Sequence, residues 1–346
     1  MRILLIRPCC IGDVVLATAA LTALRSAYPD AHITWAVGSW SRRAIEHHPV
    51  LNSILDTGKA SMPVKSPLGF AQFVAAVRAG GYDLLLSLVR SPLMSAAALL
   101  TGVRQRVGLD SNGRGFGYTL RVPVNPDEPR HEAEIYLDAV RALGVDTAGQ
   151  YASIPVPDDA RVTMQALLAR RSVHAPYIVI NPAGGNNPGM VMSSKRWPPA
   201  NFAALGDALA ERYSTQIVLV AGPDDAAIVN EVRAQMQHTV TTFIGELSFM
   251  QIGALAAGAL LYVGNDTGLT HLAAAAGGKT AAIFGPSDPR RYAPYTPDSI
   301  ALWKPSSLDP RGVAAADKQA WDWSRDGISG ADALAQLEAF LQPGAQ

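Results

Sequence analysis

Two cysteines in 346 residues, adjacent at Cys9 and Cys10, leave no material for a disulfide framework. Neighbouring cysteines rarely bridge in an ordinary fold, so the expectation is a chain held by hydrophobic cores in a reducing, cytoplasmic setting. An excess of charge is equally missing, since Lys+Arg and Asp+Glu each total 29. Without a net basic charge there is no general recruitment of nucleic acid, and there is no acidic tail. No stretch approaches the ~20 apolar residues of a transmembrane helix. The apolar start over residues 3–6 is interrupted by Arg7 and Asp13, which reads as a buried first strand rather than a leader. A soluble protein is expected, with peripheral contact at the inner face of a membrane left open. The first loop has neither G-x-G-x-x-G nor G-x-x-x-x-G-K-[ST], which disfavours a dinucleotide-dependent redox enzyme or a P-loop protein. His131 has no second ligand at metal-site spacing, so no metal is expected.

What is present is alternation. Strands are expected over 2–6, 32–37, 51–55 and 82–88, with helices over 14–27, 40–47 and 68–79 between them, a pattern that argues for a parallel sheet covered on both faces. The segment 151–159, with two prolines and no helical period, reads as a linker. The pattern then restarts with a strand over 177–181, followed by strands over 216–221, 239–244, 259–263 and 280–284. The length suits two domains, expected over 1–153 and 154–327. A last helical stretch within 328–346 is expected to pack back on the first domain.

The second half is organised around Gly264-Asn265-Asp266-Thr267-Gly268-Leu269-Thr270-His271. Asp266 and Thr267 are N-cap types, and Gly268 permits close backbone approach. A helix N-terminus presents free N–H donors and a partial positive charge, which suits a phosphate group. The plain alternative is a capped strand-turn-helix that binds nothing. Asp13, at the start of the first long helix, is either an N-cap or a carboxylate able to take a proton from a substrate hydroxyl. Lys195 is either a solvated loop lysine or a cation facing the same phosphate as Thr267 and Gly268. Asn181 at the end of a strand, and Gly184 and Asp225 in loops after strands, are candidate donor contacts, Asp225 for ribose hydroxyls in the manner of other nucleotide folds. Lys59, Lys65, Arg90, Arg114 and Arg121 are either scattered surface cations or the lining of an anionic acceptor site. Trp321 and Trp323 are expected to pack a surface groove.

Taken together these segments resemble glycosyltransferase family 9, the ADP-heptose:lipopolysaccharide heptosyltransferases. The resemblance rests on Arg2-Ile3-Leu4-Leu5-Ile6-Arg7 with Gly12-Asp13, on His131-Glu132 with Tyr136-Leu137, on Asn181-Pro182 with Lys195-Arg196-Trp197-Pro198, and on residues 266–274 followed by Phe284-Gly285-Pro286-Ser287-Asp288-Pro289. It implies an α/β GT-B fold, two facing Rossmann-like domains with parallel sheets and an interdomain cleft, the acceptor in the first and the donor in the second. It implies Asp13 as catalytic base of an inverting transfer, Lys195 as the diphosphate-binding lysine, and Asp266, Thr267, Gly268 and His271 as the donor loop. The implied donor is ADP-heptose or a related nucleotide sugar, with no separate cofactor. The implied acceptor is lipid-linked or oligosaccharide, the inner core of lipopolysaccharide. Two other functions fit the same residues: the same chemistry on another sugar or acceptor, and a nucleotide-sugar binding protein without turnover.

Overall fold

The computed structural model describes residues 1–187, 190–305 and 321–342. Pro188 and Gly189 of the loop after the seventh strand, and residues 343–346 of the expected last helical stretch, lie outside them. The chain divides into two compact units, Met1–Ser153 and Ile154–Gln346, and the division falls within the segment 151–159.

In the first unit, strands β1 (Arg2–Ile6), β2 (His32–Val37), β3 (Ser53–Asp56), β4 (Leu84–Ser87), β5 (Gln105–Asp110) and β6 (Leu120–Pro123) form one parallel sheet in the order β3-β2-β1-β4-β5-β6. Residues Ile3 to Ile6 are wholly buried, the unbroken apolar run of a strand covered on both faces. The covering helices are α1 (Ile11–Leu16), α2 (Thr18–Ala27), α3 (Pro67–Gly80), α4 (Pro92–Leu100) and α5 (Glu132–Arg141). Ser66 and Ser91 cap α3 and α4, each followed by proline at the first helical position, where its missing N–H costs nothing. Leu4, Ile6 and Leu85 of the sheet pack against Phe73, Val77 and Met94 of these two helices.

The second unit repeats the plan. Strands β7 (Tyr177–Asn181), β10 (Gln216–Ala221), β11 (Val240–Ile244), β12 (Leu261–Asn265), β13 (Thr280–Ile283) and β14 (Ser299–Leu302) are parallel in the order β11-β10-β7-β12-β13-β14, and β8 (Asn186–Asn187) and β9 (Met190–Val191) form a separate small hairpin. Its helices are α6 (Asp158–Arg170), α7 (Pro199–Tyr213), α8 (Ala226–Gln235), α9 (Phe249–Ala257), α10 (Gly268–Ala275), α11 (Pro289–Tyr292), α12 (Trp323–Asp326) and α13 (Gly330–Leu341). Both sheets follow the doubly wound order 3-2-1-4-5-6.

Several expectations are corrected. The helix expected over 14–27 begins at Ile11 and breaks at Ala17, where the Thr18 hydroxyl donates to the Val15 carbonyl at 2.6 Å. The helix expected over 40–47 is a single 3-10 turn, Arg42–Ala44, because the Gly38 carbonyl accepts from Ser41 N and Arg42 N, both at 3.0 Å, and tightens its start. The Gly- and Arg-rich region from Arg104 holds β5 and β6. Gly108 interrupts the apolar pattern there because the Tyr118 ring lies over it, 2.3 Å from where a Cβ would stand. Ala333 and Leu337 of helix α13 join the core of the second unit, against α7. Finally, the Cys9 and Cys10 sulfurs lie against each other across a cis peptide bond that brings their Cα atoms to 3.1 Å. Among the described residues no helix is long and apolar enough to cross a membrane.

Candidate active site

In a doubly wound sheet the strand order reverses at the first strand, and ligands bind in the crevice at the carboxyl ends of the two strands flanking that reversal. Those strands are β1 and β4 in the first unit, β7 and β12 in the second.

At the first crevice stands Asp13. It is not an N-cap but the third residue of α1, and its Oδ2 reaches back to accept from Cys10 N at 3.2 Å. Its Oδ1 is gripped by the Arg7 guanidinium at 2.6 Å and by the Tyr136 hydroxyl at 3.0 Å. Arg7 in turn stacks over the Tyr136 ring, 5.2 Å from its centre, and donates across the crevice to the Leu88 carbonyl at 3.1 Å. Burial alone would raise the Asp13 pKa, but the Arg7 charge, the Arg7 and Tyr136 hydrogen bonds and the Cys10 N–H outweigh it and hold the carboxyl below its ordinary value. The carboxylate is therefore charged at neutral pH, and 27% of its side chain remains exposed. Arg90 is engaged with the buried Glu132 at 2.7 Å, next to the same network. His131 caps α5, its Nδ1 accepting from Ala133 N at 3.2 Å.

Of the other expected acceptor cations, Lys59 and Lys65 are exposed in the segment between β3 and α3. Arg121 lies on the edge strand β6, three strand places from β1, which is about 14 Å at the usual interstrand spacing, and Arg114 lies in the loop between β5 and β6. Arg121 turns its guanidinium onto the Phe116 carbonyl at 3.1 Å.

At the second crevice the organising stretch forms the end of β12 and the start of α10. The Thr267 hydroxyl does not cap α10; it lies 3.4 Å from the Thr270 hydroxyl. The N–H groups of Gly268 and Leu269, the first two of the helix, have no partner within it by helical geometry. Lys195, expected in solvent by the plain reading, is buried and pairs with Asp266 Oδ2 at 2.5 Å, while Asp266 Oδ1 lies 3.5 Å from His271 Nε2. Burial alone would raise the Asp266 pKa, but Lys195 and His271 overturn this and push it well below the ordinary carboxylate value. The Nδ1 of His271, also buried, has no hydrogen-bond partner.

The glycine loop closes the other side. Gly184, at φ 106°, lies so near Thr267 that a Cβ would stand 2.3 Å from its methyl group, so only glycine lets the loop sit there. Its carbonyl accepts from Arg196 Nε at 2.7 Å, and the Arg196 guanidinium lies 3.7 Å from Asp225. Burial raises the Asp225 pKa, Arg196 partly opposing it. Gly184, Thr267, Gly268, Lys195, Asp266, His271 and Asp225 are thus brought together. Asn181 is not with them at the surface: its amide accepts from Ala183 N at 3.1 Å and donates to the Tyr262 hydroxyl at 3.1 Å, which makes it a brace beneath the loop.

Sequence reasoning passed over three residues that hold this crevice. Asn265, wholly buried, accepts from Trp197 N at 2.9 Å and donates to the Pro182 carbonyl at 2.9 Å, joining the lysine turn to the glycine loop. Trp323 packs on Gly285 and donates from its indole to the Ser194 carbonyl at 3.0 Å, one residue before Lys195. Arg196, beside Lys195 in the quoted motif, bridges Gly184 and Asp225. Among the described residues no group of three His, Cys, Asp or Glu side chains is arranged to hold a metal.

Two Rossmann-like units of this strand order have the GT-B fold of glycosyltransferases. Residues 70–316 match glycosyltransferase family 9 (heptosyltransferase), and the chain belongs to that family and is a glycosyltransferase. Lipopolysaccharide heptosyltransferase 3 of Escherichia coli is 27% identical over 298 residues, 84% of this chain and 86% of that protein. The solved family 9 glycosyltransferase of Veillonella parvula superposes with a TM-score of 0.83 at 24% identity, covering 98% of this chain and 97% of that one. The E. coli ADP-heptose lipopolysaccharide heptosyltransferase II superposes with a TM-score of 0.74 at 21% identity, covering 99% and 98%.

Proposed function

We propose that the enzyme moves a heptose from ADP-heptose to the inner core of lipopolysaccharide with inversion at the sugar carbon. The observation that carries the donor half of this reading is the uncapped start of α10 beside a buried lysine, with His271 Nδ1 unpartnered. Backbone amides, an ammonium and an imidazole at one crevice suit the two phosphates of a nucleoside diphosphate. Lys195 keeps donors beyond the one given to Asp266, since an ammonium carries three. Asp266 does not touch phosphate in this reading; it orients Lys195 and His271. Asp225 takes a ribose hydroxyl. The names of the relatives, which specify ADP-heptose and lipopolysaccharide, support the choice of sugar and acceptor.

Asp13 supplies the acceptor half. As the acceptor oxygen bonds to C1, its proton passes to the Asp13 carboxylate, and the C1–O bond to the diphosphate breaks with its electron pair leaving on ADP. Arg7 and Tyr136 hold Oδ1, so Oδ2 is the oxygen turned to the substrate. A carboxylate kept below its ordinary pKa is a modest base but is always in the right form, and proton transfer late in bond formation needs no more. The departing diphosphate is weakly basic and requires charge neutralisation rather than a proton, which Lys195 and the α10 amides provide. Arg90 remains the candidate acceptor contact nearest this chemistry.

Incubating the pure protein with several nucleotide sugars and with truncated core acceptors, and reading products by mass spectrometry, tests the assignment. Heptose added to a core acceptor is expected; transfer of a different sugar, or to none of these acceptors, overturns it. Two variants probe the scaffolding. Tyr136→Phe removes a hydrogen bond that lowers the Asp13 pKa, so the acid limb of the kcat/KM profile is expected to move to higher pH; an unmoved limb separates Asp13 from the rate. Trp323→Phe keeps the ring and deletes one donor to the Lys195 turn, so ADP is expected to bind several-fold more weakly, about 1 kcal/mol, at unchanged Tm. Equal affinity by titration calorimetry removes Trp323 from the site.

A further inference from the structure

One face of the first unit, along helix α4, is apolar and exposed. Helix α4 contains no charged side chain, and its outward positions are Leu93, Ala96, Leu99 and Leu100, the three leucines each about half exposed. They recur at i, i+3, i+6 and i+7, a single stripe of the helical period. A surface helix ordinarily turns polar side chains to water, and this one turns leucine.

The loop before β6 extends the patch. Gly117 N donates to the Ser95 hydroxyl at 2.7 Å, and a Cβ on Gly117 would stand 3.1 Å from Leu99 Cβ, so the loop lies directly on α4. That contact places the exposed Phe116 beside the leucines, with exposed Leu120 following on the edge strand. The charged residues from 91 to 125 are Arg104, Arg106, Arg114, Arg121 and one acid, Asp110. Asp110 is turned into the loop, where it accepts from Gly115 N at 2.9 Å. Arg104, Arg114 and Arg121 are exposed.

We propose that this face docks the enzyme on an anionic bilayer, with the leucines and Phe116 entering the boundary between headgroups and acyl chains and the arginines meeting lipid phosphates. Charge complementarity chooses the occupant. A two-fold contact with a second copy would set the arginine rim against itself, since both partners present the same patch. An anionic lipid surface neutralises that rim, and long cationic side chains bordering an apolar stripe suit an element that lies in the interface rather than across it. The proposal concerns a surface, and it stands or falls separately from the identity of sugar, acceptor or base.

Cosedimentation of the full chain with vesicles of equal phosphatidylglycerol and phosphatidylcholine, in the absence of substrate, tests it. Binding is expected to the mixed vesicles, roughly tenfold or more weaker on phosphatidylcholine alone and weaker again in high salt. Arg104→Glu is expected to weaken it severalfold, and Leu99→Ser with Phe116→Ser about tenfold, each with Tm and turnover on a lipid-free acceptor unchanged. Binding that is equal on both vesicle types, or absent from both, overturns the proposal. So does a dimer in lipid-free solution that Leu99→Ser dissociates, since the patch would then belong to a second copy.

Discussion

Asp13→Asn is expected to lower kcat by about 10²–10⁴-fold while ADP binds nearly as it does to the parent enzyme. Asparagine keeps the shape of the side chain and an oxygen for Arg7 and Tyr136, so the grip seen on Oδ1 survives. What it loses is the charge, the capacity to take a proton and the oxygen that accepts from Cys10 N. Alanine is the poorer probe, because it would leave the Arg7 guanidinium, itself largely buried, without the carboxylate that neutralises it. Calorimetry with ADP and steady-state rates with the acceptor separate the two effects: intact nucleotide affinity with collapsed kcat places Asp13 in the chemical step. Parental kcat in Asp13→Asn, with the same product, would remove the residue from the mechanism.

The backbone plan was largely legible because burial on both faces writes itself as an unbroken apolar run. Residues 3–6 and 177–180 are such runs, and both belong to the first strand of a doubly wound sheet. β5 and β6 were not legible, since a glycine beneath the Tyr118 ring breaks their pattern and the arginines between them suggested a different role. The start of α10 was visible as a strand-turn-helix junction. That its threonine leaves the helix uncapped was not, because a hydroxyl that caps and one that faces Thr270 have the same letter.

The partners of the key charges were hidden for a different reason. Tyr136 lies 123 positions from Asp13, and Trp323 lies 129 from Ser194. Such pairs are fixed by the order of the strands and the packing of the last helices, which local spacing does not encode. Asn181 met the same limit: its position at the end of a strand marks a crevice, but only the fold shows its amide bonded to the Tyr262 hydroxyl. The arginines at 114 and 121 were grouped with the acceptor by type; Arg121 stands on β6, three strand places from β1, and Arg114 in the loop before it.

Lys195→Met is expected to weaken ADP binding by about 10- to 100-fold, the worth of a charged hydrogen bond or two, and to lower kcat by a further ~10²–10³-fold as charge on the departing diphosphate goes unanswered. The same change carries a structural cost. Asp266 is buried, and without Lys195 its charge would be left with His271 alone, a loss of about 3–5 kcal/mol for a broken buried pair. Because the Asp266 pKa is depressed in the folded protein, the stabilisation is present above the ordinary carboxylate pKa and is lost as pH falls toward the depressed value. The Tm deficit of Lys195→Met is therefore expected at neutral pH and to shrink on acidification. Lys195→Met with Asp266→Asn resolves the two effects, since it removes both charges together. Stability should return in the double variant while ADP affinity stays low, because the amides of α10 keep their place and the cation does not. If the double variant binds ADP like the parent, the lysine's contribution was only to fold the turn, and the diphosphate belongs elsewhere.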